Sequence, residues 1–165
     1  MAISARSADR HWLAEAIELS RLCPPSATAF SVGAILVDAG GRVLSTGYSR
    51  ELDPADHAEE VALARWGYPR ANGRSTDDRL ADDRLADVTL YSSLEPCAMR
   101  KSRPTSCAEL IIASGIRRVV IAWQEPPLFV PGGGAAVLRE AGLVVEVIAE
   151  LADQAREVNA HLLAG

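Results

Sequence analysis

Cysteine is scarce in this 165-residue chain, which has only three, at positions 23, 97 and 107. An odd and sparse set of thiols excludes a disulfide scaffold and reads as reduced cysteine in a cytoplasmic protein. Long apolar runs are missing as well. No stretch reaches the roughly 18 uninterrupted apolar residues of a membrane-spanning helix, and Met1 to Arg10 lacks the apolar block of a secretory signal. Nor is there a basic run: the 17 Lys and Arg residues are scattered and the formal net charge is -5. Neither polymeric nucleic acid nor a membrane is an expected partner. What is present, 48% apolar and 24% charged residues, suits one compact domain, expected to span residues 1–165.

Apolar spacing over Asp9 to Arg21 predicts a first helix, stopped by Pro24-Pro25. Two β-branched runs, Ser31 to Asp38 and Arg42 to Ser49, flank Ala39-Gly40-Gly41 in the pattern of a hairpin. A helix from His57 to about Trp66 follows, with Asp53 and Asp56 as its expected capping residues. Val88 to Ser92, Arg118 to Trp123 and Leu143 to Ile148 read as strands. They alternate with helices at Cys107 to Ser114 and Gly134 to Ala141, each closed by glycine, and with a final helix through Leu151, Ala155, Val158 and Leu162. Strands alternating with helices after an opening hairpin predict an α/β sheet covered on both faces, with parallel neighbours in its later half. The tandem five-residue repeat Asp77 to Ala86 is expected to be a solvated insertion.

The chemistry lies in His57-Ala58-Glu59, Glu95-Pro96-Cys97 and Cys107, each at an expected loop-to-helix junction. A catalytic zinc ion takes three protein ligands, commonly imidazole and thiolate, and keeps its fourth position for water. His57, Cys97 and Cys107 supply three. Such an ion lowers the pKa of water to about 7. Glu59, two residues past a ligand, is placed to move protons from water to a departing amine. Helix starts at His57 and Cys107 would favour thiolate over thiol. H-x-E with P-C-x-x-C is the recognised signature of zinc deaminases, and His57-Ala58-Glu59 with Pro96-Cys97 and Cys107 matches it in order. The rival reading is a structural zinc site closed by Cys23, His11 or His161.

On these motifs the chain resembles the cytidine deaminase superfamily, and most of all the pyrimidine deaminase domain of the bifunctional riboflavin-biosynthesis enzyme. The likeness also runs through Val32-Gly33-Ala34, Thr89-Leu90-Tyr91, Arg103-Pro104, the segment Gly115 to Val120, Leu138 to Gly142 and Asn159. It implies a three-layer α/β/α sandwich with a five-stranded mixed sheet, one Zn2+ per chain, and a homodimer or homotetramer. It also implies hydrolytic release of ammonia from a diaminopyrimidine carrying a ribosyl phosphate. Because the chain stops at Gly165, no fused reductase is expected.

Three segments depart from that family's pattern. Nine residues separate Cys97 from Cys107, one more than usual, and Ala98-Met99 stands where the family has histidines. Thr28-Ala29-Phe30 replaces Pro-Asn-Pro, and Glu125-Pro126-Pro127-Leu128-Phe129 replaces Asp-Pro-Asn-Pro-Arg. The pocket is therefore expected to be more apolar and less suited to a sugar phosphate. The alternative substrates are unphosphorylated cytosine, cytidine, guanine or pterin-type compounds. Substrate contacts are expected from Phe30, Ala58, Glu95, Pro96, Lys101, Arg103, Trp123 and Phe129. Arg100, Lys101 and Arg103 are the candidates for a phosphate, whereas Phe30, Trp123 and Phe129 either stack on the ring or pack the core. Two other classes stand beside this one: a catalytically inactive zinc-binding subunit, and a transfer-RNA-type editing enzyme, which would need a basic surface.

Overall fold

The computed structural model describes residues 4–68 and 85–164. Helix α1 (Ala5–Ser20) starts before the expected Asp9 because the Ser4 side chain accepts a hydrogen bond from the Ser7 amide. Such a polar cap leaves no trace in apolar spacing. Leu13, Ala16 and Ile17 form its buried face as the periodicity requires.

Strands β1 (Gly33–Val37) and β2 (Val43–Tyr48) pair antiparallel. Their turn is fastened by Asp38 Oδ1, which accepts from the amides of Gly40 at 3.0 Å and Arg42 at 2.9 Å, while Gly41 takes a φ of 81°. On its other side β1 pairs antiparallel with β3 (Thr89–Leu94). From there β4 (Arg118–Trp123) and β5 (Val144–Val147) add in parallel, giving the order β2-β1-β3-β4-β5. The mixed five-stranded sheet and its parallel later half are those expected. Every residue of β1 is buried, and all but the first of β3 and of β4, which is why these strands read as nearly continuous apolar or small-residue runs.

Helices α2 (Ala58–Arg65), α3 (Cys107–Ser114) and α4 (Gly134–Glu140) cover one face, and α1 covers the other with α5 (Ala152–Val158). The expected single last helix is instead a 3-10 turn at Ala149–Leu151, then α5, then a short α6 (Ala160–Leu163). The break falls at Asn159, whose side chain accepts from the Ser31 amide at 2.7 Å and donates to the carbonyls of Ser31 and Ala155 at 3.1 Å each. A buried amide that binds backbone so fully competes with the helix ladder.

Two further features carry no apolar signal. Asp9 is buried in α1, accepts from the Tyr91 hydroxyl at 2.8 Å, and forms a pair with Arg118 at 2.7 Å, tying the helix to β3 and β4. Gly47 lets α2 lie directly on β2, since a Cβ there would come within 2.5 Å of the Ala58 carbonyl. Residues 77–84 of the tandem repeat lie outside the described residues; its Leu85 is part of the core rather than solvated. Among the described residues no helix is long and apolar enough to cross a membrane.

Candidate metal centre and cavity

The centre is built at the ends of β3 and β4 that point toward the starts of α2 and α3. His57 is the N-cap of α2, with extended backbone and no side-chain capping bond, so its imidazole is free to face across the sheet edge. The expected caps do other work. Asp56 turns back to accept from the amides of Leu52 and Asp53, and Asp53 caps the Ala55 amide. Cys107 is the first residue of α3, which is fixed by a reciprocal capping box between Ser106 and Glu109. Cys97 follows β3, and the α3 start is laced to it: the Cys107 amide donates to Cys97 Sγ at 3.3 Å and the Ala108 amide to the Cys97 carbonyl at 3.1 Å.

The three side chains converge. His57 Nδ1 stands 3.5 Å from Cys97 Sγ and 3.3 Å from Cys107 Sγ, and all three donor atoms lie within 4.8 Å of one another. A tetrahedral ion bound at about 2.0 Å to nitrogen and about 2.3 Å to sulfur sets those atoms about 3.5 Å apart, so the donor set fits a metal without rearrangement. Neither Cys23 nor His11 nor His161 belongs to the cluster. The Cys23 thiol faces the Val32 carbonyl, His11 meets the edge of Trp12, and His161 meets the Ser26 carbonyl.

Charge at the cluster is shared unequally. Hydrogen bonding from Cys107, helped by His57, draws the Cys97 thiol down, and the same bond together with burial drives Cys107 up. Glu59, 3% exposed in the first turn of α2, accepts from Ser92 Oγ at 2.8 Å. Burial raises its carboxyl above the ordinary range, against the opposing pull of His57.

A family profile described as "Cytidine and deoxycytidylate deaminase zinc-binding region" matches residues 6–123. The chain belongs to this deaminase family. Among curated relatives, the diaminohydroxyphosphoribosylamino-pyrimidine deaminase of Schizosaccharomyces pombe is 35% identical over 134 residues, covering 81% of this chain and 30% of that protein. The riboflavin biosynthesis protein RibD of Aquifex aeolicus is 34% identical over 159 residues, covering 93% and 38%. The chain therefore spans about a third of the length of these relatives. The Rib2 deaminase of Aspergillus oryzae, solved in complex with DARIPP, superposes with a TM-score of 0.70 at 26% identity, covering 96% of this chain and 97% of that one.

Above the cluster of this deaminase domain opens a cavity of about 570 Å³ that reaches His57, Glu59 and Cys97. Of the expected substrate contacts, Phe30, Glu95, Lys101 and Phe129 line it. Phe30 meets Phe129 edge to face at 5.1 Å and backs onto Trp123 at 5.5 Å. Trp123, Ala58, Pro96 and Arg103 stand behind the wall rather than on it. Glu95 lines the cavity but is spoken for: its two oxygens accept from the amides of Glu125 and Ala135, each at 2.8 Å. It braces the loop after β4 and the start of α4. Gly134 makes the same junction possible, because a Cβ there would fall 1.6 Å from the Pro96 carbonyl.

The arginines expected to hold phosphate are engaged elsewhere. Arg100 pairs with Glu60 at 2.9 Å and donates to the Ala55 carbonyl at 2.6 Å. Arg103 pairs with Asp56 at 3.1 Å and Glu60 at 3.3 Å. This buried network pins the 98–106 loop to α2. Sequence spacing did not reveal it, because charged neighbours in a loop carry no mark of the carboxylates they meet after folding. Glu125 was also missed as a cavity residue, although its place in a departing segment singled out the region.

Proposed function

We propose that this chain is a zinc-dependent hydrolytic deaminase acting on the exocyclic amino group of a small amino-heterocycle of the diaminopyrimidine type, releasing ammonia and leaving a carbonyl. His57, Cys97 and Cys107 would hold one Zn2+ per chain. When bound in such a donor set, zinc acidifies water to a pKa of about 7 and so supplies the nucleophile. Glu59 is the proton carrier, taking a proton at its carboxylate and returning it to the departing amine. Ser92 fixes the orientation of that carboxylate through the 2.8 Å bond. Phe30 and Phe129 provide apolar faces for a flat ring and exclude water from around it.

One observation carries the reading: a buried, oriented glutamate stands beside a metal-type His/Cys/Cys cluster at the floor of a ligand-sized cavity. The names of the curated relatives support the diaminopyrimidine class. The same proposal includes assembly as a homodimer or homotetramer, which sedimentation equilibrium measures. It also includes a reducing, cytoplasmic setting, which the three free thiols support.

The test is Glu59→Ala. Zinc content measured by atomic absorption is expected to stay near one per chain while ammonia release falls by a factor of about 10²–10⁴. Equal activity in the two proteins would remove Glu59 from the mechanism. Zinc binding without turnover by wild-type protein on any amino-heterocycle would favour the inactive zinc-binding subunit instead.

A further inference from the structure

We infer that the substrate enters this cavity without a phosphate group, and that Glu125 selects it by receiving a hydrogen-bond-donating or cationic edge. The inference rests on the deaminase reading above and narrows its substrate class. Volume does not decide the matter, since about 570 Å³ admits a base, a nucleoside or a nucleotide. Charge does.

A phosphate needs free guanidinium or ammonium groups, or converging amides, to replace its water. Each described arginine near the cavity is already committed. Arg50 donates to the carbonyls of Pro24 and Phe30 and to Ser31 Oγ. Arg100 and Arg103 are held by Glu60 and Asp56, with side chains only 2% and 9% exposed. Freeing either arginine for a ligand would take one cationic partner from buried Glu60, so ion pairing within the protein competes directly with phosphate binding. Lys101 lies exposed at the rim, a single solvated cation.

The acidic side of the cavity is the less satisfied one. Glu95 has both oxygens filled by amides, and Glu59 has Ser92. Glu125 is half-buried on the wall, and among the described residues no hydrogen bond or ion pair to its carboxyl is found. Among the described residues this carboxyl lacks donors. The N–H edge of an aminopyrimidine supplies them, whereas a phosphate adds two more negative charges to the same enclosure.

The zinc-loaded protein is given three compounds that share one aminopyrimidine ring: the free base, its ribosyl derivative and the ribosyl 5′-phosphate. Ammonia release is expected to show kcat/KM at least about tenfold higher for an unphosphorylated member than for the phosphate. Glu125→Gln should narrow that ratio, chiefly by raising KM for the former and lowering it for the latter; Glu125→Asp should restore part of it. A merely structural Glu125 would change all three compounds equally, and that result overturns its selecting role. Preference for the phosphate overturns the inference while leaving the deaminase reading intact. If no compound releases ammonia, the deaminase reading fails for this ring, and calorimetric binding of the same three decides the inference. Tighter binding of the phosphate, or binding of none, overturns it.

Discussion

Glu60→Gln removes one charge and almost no volume from the least exposed ion pair among the described residues. Glu60 is 1% exposed and faces Arg100 at 2.9 Å and Arg103 at 3.3 Å. Its loss leaves two guanidinium groups sharing fewer carboxylates in an environment where water reaches neither well. Breaking a buried pair in this way destabilises by about 3–5 kcal/mol. For a chain of this size each kcal/mol lowers Tm by about 2–4 °C, so a fall of about 6–20 °C is expected. The network also pins the loop that carries Cys97 and Cys107, so zinc affinity should drop about 10–100-fold although no ligand is touched. Urea unfolding and calorimetry measure the first effect, and competition with a chromophoric chelator measures the second. A loss under about 1 kcal/mol, the range of solvent-exposed pairs, would refute the claim that this network holds the metal loop.

Asp9→Asn tests the pair that joins α1 to the sheet. Burial opposes ionisation of Asp9, but hydrogen bonds from Arg118 and Tyr91 outweigh it and hold the folded carboxyl below its ordinary value. A depressed folded pKa means stability that is present above the unfolded value of about 3.9 and lost as pH falls through the folded one. The variant should therefore unfold at lower urea than wild type at neutral pH, with the gap closing in acid; a gap independent of pH would show that charge is not its source. Gly134→Ala should destabilise by about 1–3 kcal/mol and depress activity, because α4 must withdraw from the Pro96 carbonyl; unchanged Tm would disprove that contact. Glu95→Gln turns one amide donor toward another and should cost about 1–3 kcal/mol, with a rise in KM as the loop after β4 loosens; an unaltered KM would separate the brace from the cavity.

Much of the architecture was legible because it rests on local signals. Gly40-Gly41 marked the hairpin, apolar and β-branched runs placed β3, β4 and β5, and the positions of His57 and Cys107 at helix starts followed from the helical composition of the segments they open. The convergence of His57, Cys97 and Cys107 was legible for a chemical reason, since few other purposes gather those donors. The rest depended on partners distant in sequence. Asp9 and Arg118 are 109 residues apart, and Arg100 and Glu60 are 40 apart, so neither pairing leaves a period or a spacing. Basic residues beside a presumed pocket looked like anion ligands because the competing carboxylates come from α2 and the turn before it. Trp123 looked like a stacking surface, yet Phe30 occupies the position in front of it.

Glu95 grips the main chain of its neighbours and ignores their side chains. Between those moorings the exposed positions, Pro127 and Leu128 among them, are open to exchange, whereas Gly132 is held by the Glu125 carbonyl, 2.8 Å from where a Cβ would lie. An engineer seeking to retrain this scaffold on a new ring system would randomise those exposed positions first, and lineages diverging under selection could have used the same freedom.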